Sequence, residues 1–262
     1  MERKFVIPPP KDQTTTPQQW EENYKANQYD DVLNITQDPG ICAAFVRGLP
    51  TTTKSVLIAG CGSKTNLQRY VVEQCLGVDC IFCTDCSKEA LDLAQAEFSH
   101  SKIKYQEENT TALSFSPNTF DAILVCNSIL DHDDLTNRQM VLECYRVLRP
   151  GGVVIGLFPT LFCPFEISLL GEQYLHQDYR RSREEQISFK NSTFFEKKQR
   201  MYQIFYTPIR LNQVFKEACF LRERMEVCFF DSQLMIQESA RCYGLPRDSG
   251  LCIWQLLVIY RK

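Results

Sequence analysis

Residues 55–158 alternate short apolar runs with helical segments, and this alternation constrains the fold more than any other feature of the sequence. The apolar runs have the composition of strands that are buried on both faces of a sheet. The segments between them carry apolar residues at helical spacing. Strands that alternate with helices across short loops indicate right-handed βαβ units and a parallel sheet. The predicted strands cover 55–59, 80–84, 103–106, 120–126 and 153–158.

The rest of the chain is predicted to extend this sheet rather than to form a second domain. The alternation of strands and helices stops at Pro159. The following stretch is rich in aromatic and charged residues and contains no clear strand. A helix from about Pro208 and two strands near 226–230 and 252–260 then complete a doubly wound, mostly parallel seven-stranded α/β sheet. The predicted segments are a flexible arm (1–17), N-terminal helices that cap the site (18–53), the core (54–158), a lid inserted between strands five and six (159–207) and the C-terminal part of the sheet (208–262).

Composition narrows the classes of protein to which the chain can belong. Its 262 residues are 44% hydrophobic and 23% charged, which is typical of a globular domain. The net charge of −3 argues against a nucleic-acid partner, because such a partner usually requires a basic face. No apolar run reaches the roughly 18 residues that a membrane span needs. The N-terminus is polar and proline-rich, so we expect a cytoplasmic protein without a membrane partner.

The 13 cysteines are predicted to be reduced thiols rather than disulfides. Their number is odd, and many of them lie in apolar runs, where cysteine acts as a small hydrophobic residue. Cys80, Cys83 and Cys86 have a Cys-x-x-Cys-x-x-Cys spacing that is also found in metal sites. Side chains three residues apart on a strand point to opposite faces, so this spacing does not converge on one ion. We therefore predict no metal.

A glycine turn and an acid indicate a nucleoside site. Gly60 and Gly62 directly follow the first predicted strand, where the lack of a Cβ lets the backbone approach a ligand. Asp85 ends the second strand, and an acid at this place can accept both hydroxyls of a ribose. Each feature also has a structural interpretation, since Gly-x-Gly occurs in tight turns and an acid can cap the next helix. Ser87 is available for that cap.

These elements, taken in order, resemble those of class I S-adenosylmethionine-dependent methyltransferases, in particular domains of type 11/25. The resemblance covers about residues 54–158 and, more loosely, 206–260. Residues 57–62 are similar to the family's first motif, and 120–127 to its fourth-strand motif. Residues 143–152 are close to the Glu-x-x-Arg-Val-Leu-Lys-Pro-Gly-Gly signature, which is the most specific of these elements. The resemblance implies S-adenosylmethionine as cofactor and S-adenosylhomocysteine as product.

The resemblance also implies which residues contact the cofactor. They are Gly60, Cys61, Gly62, Asp85, Cys86, Asn109, Thr110, Cys126 and Asn127. In this interpretation Asp85 meets the ribose, and the side-chain carbonyl of Asn109 accepts from the adenine amino group. Two positions depart from the family, because Ile58 stands where an acid is common and Lys64 where a third glycine is common.

The acceptor is predicted to be a small molecule that is methylated on O, N or S. His132 follows the fourth strand and is the candidate catalytic residue, either as a base or as an acceptor contact; otherwise it is a loop or capping residue. The candidate acceptor contacts are Trp20, Tyr24, Phe158 and Phe162, although the two N-terminal residues could instead pack against the sheet edge. We expect a monomer or a homodimer. The alternatives are a non-catalytic scaffold, suggested by Ile58 and Lys64, and a protein- or RNA-directed enzyme of the same fold.

Overall fold

A computed structural model of the chain describes residues 16–26, 35–160, 170, 173, 187–188, 193–196, 201–242, 244–251 and 253–262. The helices are α1 (Pro17–Lys25), α2 (Pro39–Gly48), α3 (Asn66–Gln74), α4 (Lys88–Glu97), α5 (Asp134–Val147), α6 (Pro208–Glu217) and α7 (Gln233–Cys242), with a short 3-10 helix at Ile35–Gln37. The strands are β1 (Ser55–Ala59), β2 (Cys80–Asp85), β3 (Ile103–Glu107), β4 (Phe120–Cys126), β5 (Leu148–Pro159), β6 (Ile187–Ser188), β7 (Thr193–Glu196), β8 (Met201–Ile204), β9 (Leu221–Phe229) and β10 (Trp254–Arg261).

Seven of the strands form one sheet in the order β3-β2-β1-β4-β5-β10-β9. The strands from β3 to β5 are parallel, and β10 runs antiparallel to both β5 and β9. The predicted doubly wound, mostly parallel seven-stranded sheet is therefore confirmed. The strand order reverses between β1 and β4, and ligands of such sheets bind at the carboxyl ends of the strands at this switch point.

Apolar side chains fill both faces of the sheet. On one face, residues of α2, α3 and α7 such as Phe45, Val71 and Met235 pack against alternate positions of the strands. On the other face, residues of α5 and α6 such as Val141 and Phe215 pack against the intervening positions. The chain thus forms a helix–sheet–helix arrangement with a core on each side of the sheet. None of the described helices is long and apolar enough to cross a membrane.

Asp38 joins two segments that are far apart in the sequence. Its fully buried carboxylate caps α2, because Oδ1 accepts from the backbone N–H groups of Gly40 at 2.8 Å and Ile41 at 3.4 Å. Its other oxygen accepts from the backbone N–H groups of Asp231 and Ser232, each at 2.9 Å, just before α7. A single side chain therefore satisfies backbone donors at the start of two helices.

Several predicted elements need correction. The stretch 159–207 was predicted to lack a clear strand, but it contains the three-stranded antiparallel sheet β6-β7-β8. The predicted long connection before the last strand contains α7, and β9 begins at 221 rather than near 226. The first half of β9 is charged and largely exposed at the sheet edge, so it lacks the apolar run of a central strand. Residues 1–15 of the predicted arm (1–17) and most of 161–200, within the predicted lid (159–207), lie outside the described residues. Pro17, the last residue of the predicted arm, is the first residue of α1.

Candidate functional site

The glycine turn after β1 leaves no room for side chains. Gly60 and Gly62 have φ angles of +67° and +63°. A Cβ on Gly60 would lie 2.3 Å from Cβ of Ser128, and one on Gly62 would lie 3.0 Å from the hydroxyl of Tyr24. The backbone N–H of Cys61 donates to the carbonyl of Thr84 at 2.8 Å, which ties the turn to β2. The turn is therefore a fixed cradle of bare backbone at the carboxyl end of the sheet.

Asp85 lies against this turn. One of its oxygens accepts from the backbone N–H of Gly62 at 2.9 Å and the other from that of Ser87 at 3.0 Å. Burial raises the pKa of the Asp85 carboxyl, while these backbone donors act in the opposite direction. The cap of α4 is Ser87, whose hydroxyl accepts from the N–H of Ala90 at 3.1 Å, so Asp85 is not needed for that cap. Burial also raises the pKa of the neighbouring Cys86 thiol, to about 12.

Asn109 lies in the loop after β3 and is exposed. Its Oδ1 accepts from the backbone N–H of Thr111 at 2.9 Å and from the Thr111 hydroxyl at 2.8 Å. These donors occupy both lone pairs of the carbonyl oxygen. For Asn109 to accept from an adenine amino group, the Thr111 hydroxyl must therefore turn away.

The signature over residues 143–152 supports the β3–β4 loop. Arg146 makes two contacts with the Glu143 carboxylate, at 2.8 and 2.7 Å, and this pairing lowers the pKa of Glu143. The same guanidinium donates to the carbonyls of Leu113 and Phe115, each at 2.7 Å, and Glu143 accepts from the N–H of Leu113 at 2.8 Å. The pair thus fixes the loop that also carries Asn109. The role of the Glu143–Arg146 pair is therefore structural, because it holds this loop in shape.

Replacing Arg146 by leucine is expected to weaken cofactor binding several-fold and to lower the free energy of unfolding by about 1–2 kcal/mol, because its two bonds to the loop and its pairing with Glu143 are lost. Calorimetric titration and chemical denaturation measure the two effects. Arg149→Leu is the matched control, because Arg149 pairs with Asp121 near the starts of β1 and β4, at the opposite sheet edge. Equal loss of cofactor affinity in both variants would contradict the role of the Glu143–Arg146 pair.

The carboxyl end of β4 presents an unsatisfied polar atom. Asn127 has a φ angle of +51°, and its backbone N–H donates to the carbonyl of Leu157 at 3.0 Å. Within the described part of the chain, Asn127 Oδ1 is buried and accepts no hydrogen bond. Buried polar atoms are rarely left in this state, so a donor from a ligand would complete its environment. Cys126 precedes it, and burial raises the pKa of its thiol.

Helix α1 packs against the glycine turn and the start of α4. Glu21 accepts from the Ser87 hydroxyl at 2.6 Å and from the backbone N–H of Glu89 at 3.0 Å, at the start of α4. Tyr24 is buried with its hydroxyl over Gly62, and Trp20 is half-buried. Of the two predicted acceptor contacts in α1, Tyr24 therefore lies directly at the glycine turn.

The docking of α1 is expected to depend on pH. Hydrogen bonds from Ser87 and Glu89 lower the pKa of Glu21 to about 2. The contribution of this ionised carboxylate is fully present above its unfolded value of 4.5 and is lost as the pH falls towards 2. The protection factors of the α1 amides, which are exchange rates corrected for the intrinsic pH dependence of amide exchange, should therefore be high at pH 6 and fall below about pH 4. Glu21→Gln should show low protection at both pH values, and high protection in this variant would contradict the assignment.

His132 lies between β4 and α5 beside a buried carboxylate. The side chains of His132 and Asp131 are 11% and 6% exposed, and Nδ1 lies 3.3 Å from Asp131 Oδ1. The imidazole centroid is 6.4 Å from that of Tyr202 in β8. Burial raises the pKa of the Asp131 carboxyl. Neither Asp131 nor Tyr202 was among the predicted site residues, although the Asp131–His132 dipeptide was visible in the sequence.

Two other predicted acceptor contacts are not placed at the site. Phe158 is fully buried, and its ring packs edge-on against Tyr206 and Phe215 at centroid distances of 5.2 and 5.9 Å. Phe158 is thus a core residue of β5, because its side chain points into the layer between the sheet and α6. Phe162 lies outside the described residues.

Ile58 is 2% exposed and packs in the core, which explains why β1 tolerates an apolar residue there.

The cysteines form no metal site in the part of the chain that the structure describes. Cysteine, histidine and acidic side chains form no cluster of three that could hold an ion there. Cys83 is buried, whereas Cys80 and Cys86 are partly exposed, and all described cysteines are free thiols.

Comparison with known proteins defines the class. Residues 56–152 match the family model described as a methyltransferase domain. No curated protein sequence matches the chain. An S-adenosylmethionine-dependent methyltransferase from Methanosarcina mazei has a TM-score of 0.57 at 18% identity, over 83% of this chain and 95% of the other. One from Mesorhizobium loti has a TM-score of 0.55 at 15% identity, over 84% and 96%.

A third solved structure is a complex. A chain from the complex between the Haloferax volcanii Trm112 methyltransferase activator and a methyltransferase has a TM-score of 0.61 at 14% identity, over 92% of this chain and 96% of the other. At these identities the structural likeness shows the fold. Together with the matched family model, it shows that the chain contains a class I methyltransferase domain. This family implies S-adenosylmethionine as the cofactor.

Proposed function

We propose that the protein transfers a methyl group from S-adenosylmethionine to an oxygen, nitrogen or sulfur atom of a small molecule. The observation that carries this proposal is the nearly buried His132, which follows β4 at the sheet edge that also bears the glycine turn. A histidine at this place can act on an acceptor that enters beside the cofactor.

The cradle fits the cofactor in three respects. Gly60 and Gly62 form a tight turn of bare backbone, since a Cβ on either would crowd Ser128 or Tyr24. Asp85 offers carboxylate oxygens to ribose hydroxyls, and Asn109 offers a carbonyl to the adenine amino group once the Thr111 hydroxyl has turned away. The unsatisfied Oδ1 of Asn127 suits a donor such as the amino group of the methionine part. The proposed set also contains Cys61, Cys86, Thr110 and Cys126.

The chain's own contribution to the reaction is alignment and proton removal. When bound, S-adenosylmethionine supplies an electrophilic methyl carbon attached to a sulfonium. His132 takes the proton of an acceptor O–H, N–H or S–H, so that the lone pair of that atom is available for bond formation. An alcohol needs this help most because of its high pKa, whereas an amine needs chiefly orientation and exclusion of water. Helix α1 covers the cofactor side through Tyr24 and contributes to that exclusion.

A macromolecular acceptor is the second candidate. The Haloferax volcanii structure, in which a methyltransferase is bound to an activator protein, bears on the need for a protein partner and not on the acceptor. If this chain likewise needed a protein partner, the isolated protein would bind the cofactor weakly and turn over only in its presence. The net charge of −3 favours the small-molecule proposal over an RNA-directed enzyme.

The deciding experiment has two steps. Calorimetric titration with S-adenosylmethionine should give binding in the micromolar range, and failure to bind would overturn the proposal. Incubation with methyl-labelled cofactor and a metabolite extract should then place label on a small molecule, whereas label on protein or RNA would support the second candidate. His132→Gln should bind the cofactor normally and lose turnover. His100→Gln is the matched control, since His100 lies just after α4 and accepts from the N–H of Lys102 at 3.2 Å.

A further inference from the structure

We propose that Asp131 is a positioning residue for His132, holding the imidazole with Nδ1 protonated so that Nε2 is left as the basic atom. This inference rests on the proposed function, in which His132 removes the acceptor's proton. A carboxylate opposite one ring nitrogen fixes the tautomer of a histidine and stabilises its protonated form. The two side chains therefore act as a unit.

The distance and the burial of the pair support this arrangement. Asp131 Oδ1 lies 3.3 Å from His132 Nδ1, and both side chains are almost completely withdrawn from solvent. His132 Nδ1 is buried and has no aligned hydrogen bond among the described residues. The Asp131 carboxylate, at 3.3 Å, is within reach of a proton on that nitrogen. Because solvent is scarce there, the interaction between the two side chains is stronger than at a surface.

Asp131 is itself held firmly. Its backbone N–H donates to Oδ1 of the fully buried Asn137 at 3.0 Å, and its carbonyl accepts from Nδ2 of the same residue at 2.6 Å. Its carboxylate accepts from the backbone N–H of Asp133 at 2.8 Å. Asp131 also forms an isolated antiparallel bridge to Gln203, and the neighbouring Leu130 carbonyl accepts from the N–H of Ile204 at 3.0 Å. Helix α5 and strand β8 thus clamp the backbone that carries the carboxylate.

The other charged and titratable groups around the pair are engaged elsewhere. Asp133 caps α5 by accepting from the N–H and the hydroxyl of Thr136, at 2.9 and 2.8 Å. Asp134 pairs with Arg138 at 2.7 Å and with Arg210 of α6 at 3.0 Å. Tyr202 of β8 faces the imidazole, and burial raises the pKa of its hydroxyl, which keeps it neutral. Among the described residues, Asp131 is therefore the carboxylate that is available to His132.

Nitrogen-15 NMR of the full-length protein tests the tautomer directly. With only three histidines in the chain, the ring of His132 is assigned by the signals that disappear in His132→Gln. We expect the wild type to carry its proton on Nδ1 and Asp131→Asn to lose this preference. Asp133→Asn is the matched control and should keep the wild-type tautomer, because an asparagine still caps α5. An unchanged tautomer in Asp131→Asn would overturn the proposal.

Kinetics on an identified acceptor provide the second readout. Asp131→Asn should lower kcat at least about tenfold with little change in KM, because the imidazole is no longer held with Nε2 towards the acceptor. Asp131→Glu should restore part of the rate, which a merely structural role would not predict. Full turnover by His132→Gln would overturn the proposed role of His132 as the base. The NMR measurement would still decide whether Asp131 fixes the tautomer of the imidazole. The two failures are therefore distinguishable.

Discussion

Replacing Gly60 by alanine is expected to weaken S-adenosylmethionine binding at least about tenfold and to lower the free energy of unfolding by about 3 kcal/mol. Two effects add at this position. The φ angle of +67° strains any residue with a Cβ, and that Cβ would lie 2.3 Å from Cβ of Ser128. The strand ends on either side are fixed, so the turn itself must shift, and the cradle loses its shape. Calorimetric titration and chemical denaturation measure the two losses.

A second glycine separates strain from collision. Gly151 has a φ angle of +78°, but a Cβ there would meet no atom within 4 Å. Gly151→Ala should therefore cost about 1 kcal/mol of stability and leave cofactor affinity unchanged. The double variant Gly60→Ala/Ser128→Gly removes the collision and should recover part of the affinity. Wild-type binding by Gly60→Ala alone would show that the turn is not the cofactor cradle.

Replacing Asp38 by asparagine is expected to lower the free energy of unfolding by about 3 kcal/mol. The carboxylate accepts four backbone N–H groups, two on each oxygen. An asparagine can accept on one side only, and its amide N–H groups would face two donors on the other. The buried donors then lose their partners without gaining water, which is the most costly way to break such bonds. Denaturation by urea, with an unchanged slope, measures the difference.

A single-helix cap provides the control for Asp38. Thr207 caps α6 by accepting from the N–H of Arg210 at 3.2 Å, and within the described ranges no second segment donates to its side chain. Thr207→Ala should cost about 1 kcal/mol, as helix caps commonly do. If Asp38→Asn cost no more than Thr207→Ala, the bridge between α2 and α7 would contribute nothing beyond an ordinary cap.

The sequence predicts best what depends on residues close together in the chain. The bounds 55–59 and 120–126 agree with β1 and β4, because continuous apolar runs define strands that are buried on both faces. Ser87 was predicted to cap α4 and does so, since a cap needs only residues three positions apart. The positive φ angles of Gly60 and Gly62 likewise follow from a local turn.

What the sequence does not predict depends on distant partners. Nothing near Asp38 indicates that its carboxylate reaches the start of α7, and nothing near Arg146 indicates that it holds the loop around Leu113. Phe158 looks like a site residue because it ends a central strand, yet the rings contributed by α6 and its preceding segment enclose it. The environment of His132 depends on β8, which lies beside it in the fold. A strand as short as β8 cannot be distinguished from a helical turn by periodicity alone.

The bridge made by Asp38 also bears on the order in which the molecule assembles during its synthesis. Asp38 leaves the ribosome long before Asp231 and Ser232, whose N–H groups complete its coordination. The link from α2 to the start of α7 can therefore form only after the segment that contains Asp231 and Ser232 has been made. A chain cut before α7 would keep the cap of α2 and its packing against α3, but one oxygen of the buried Asp38 carboxylate would lack its two donors.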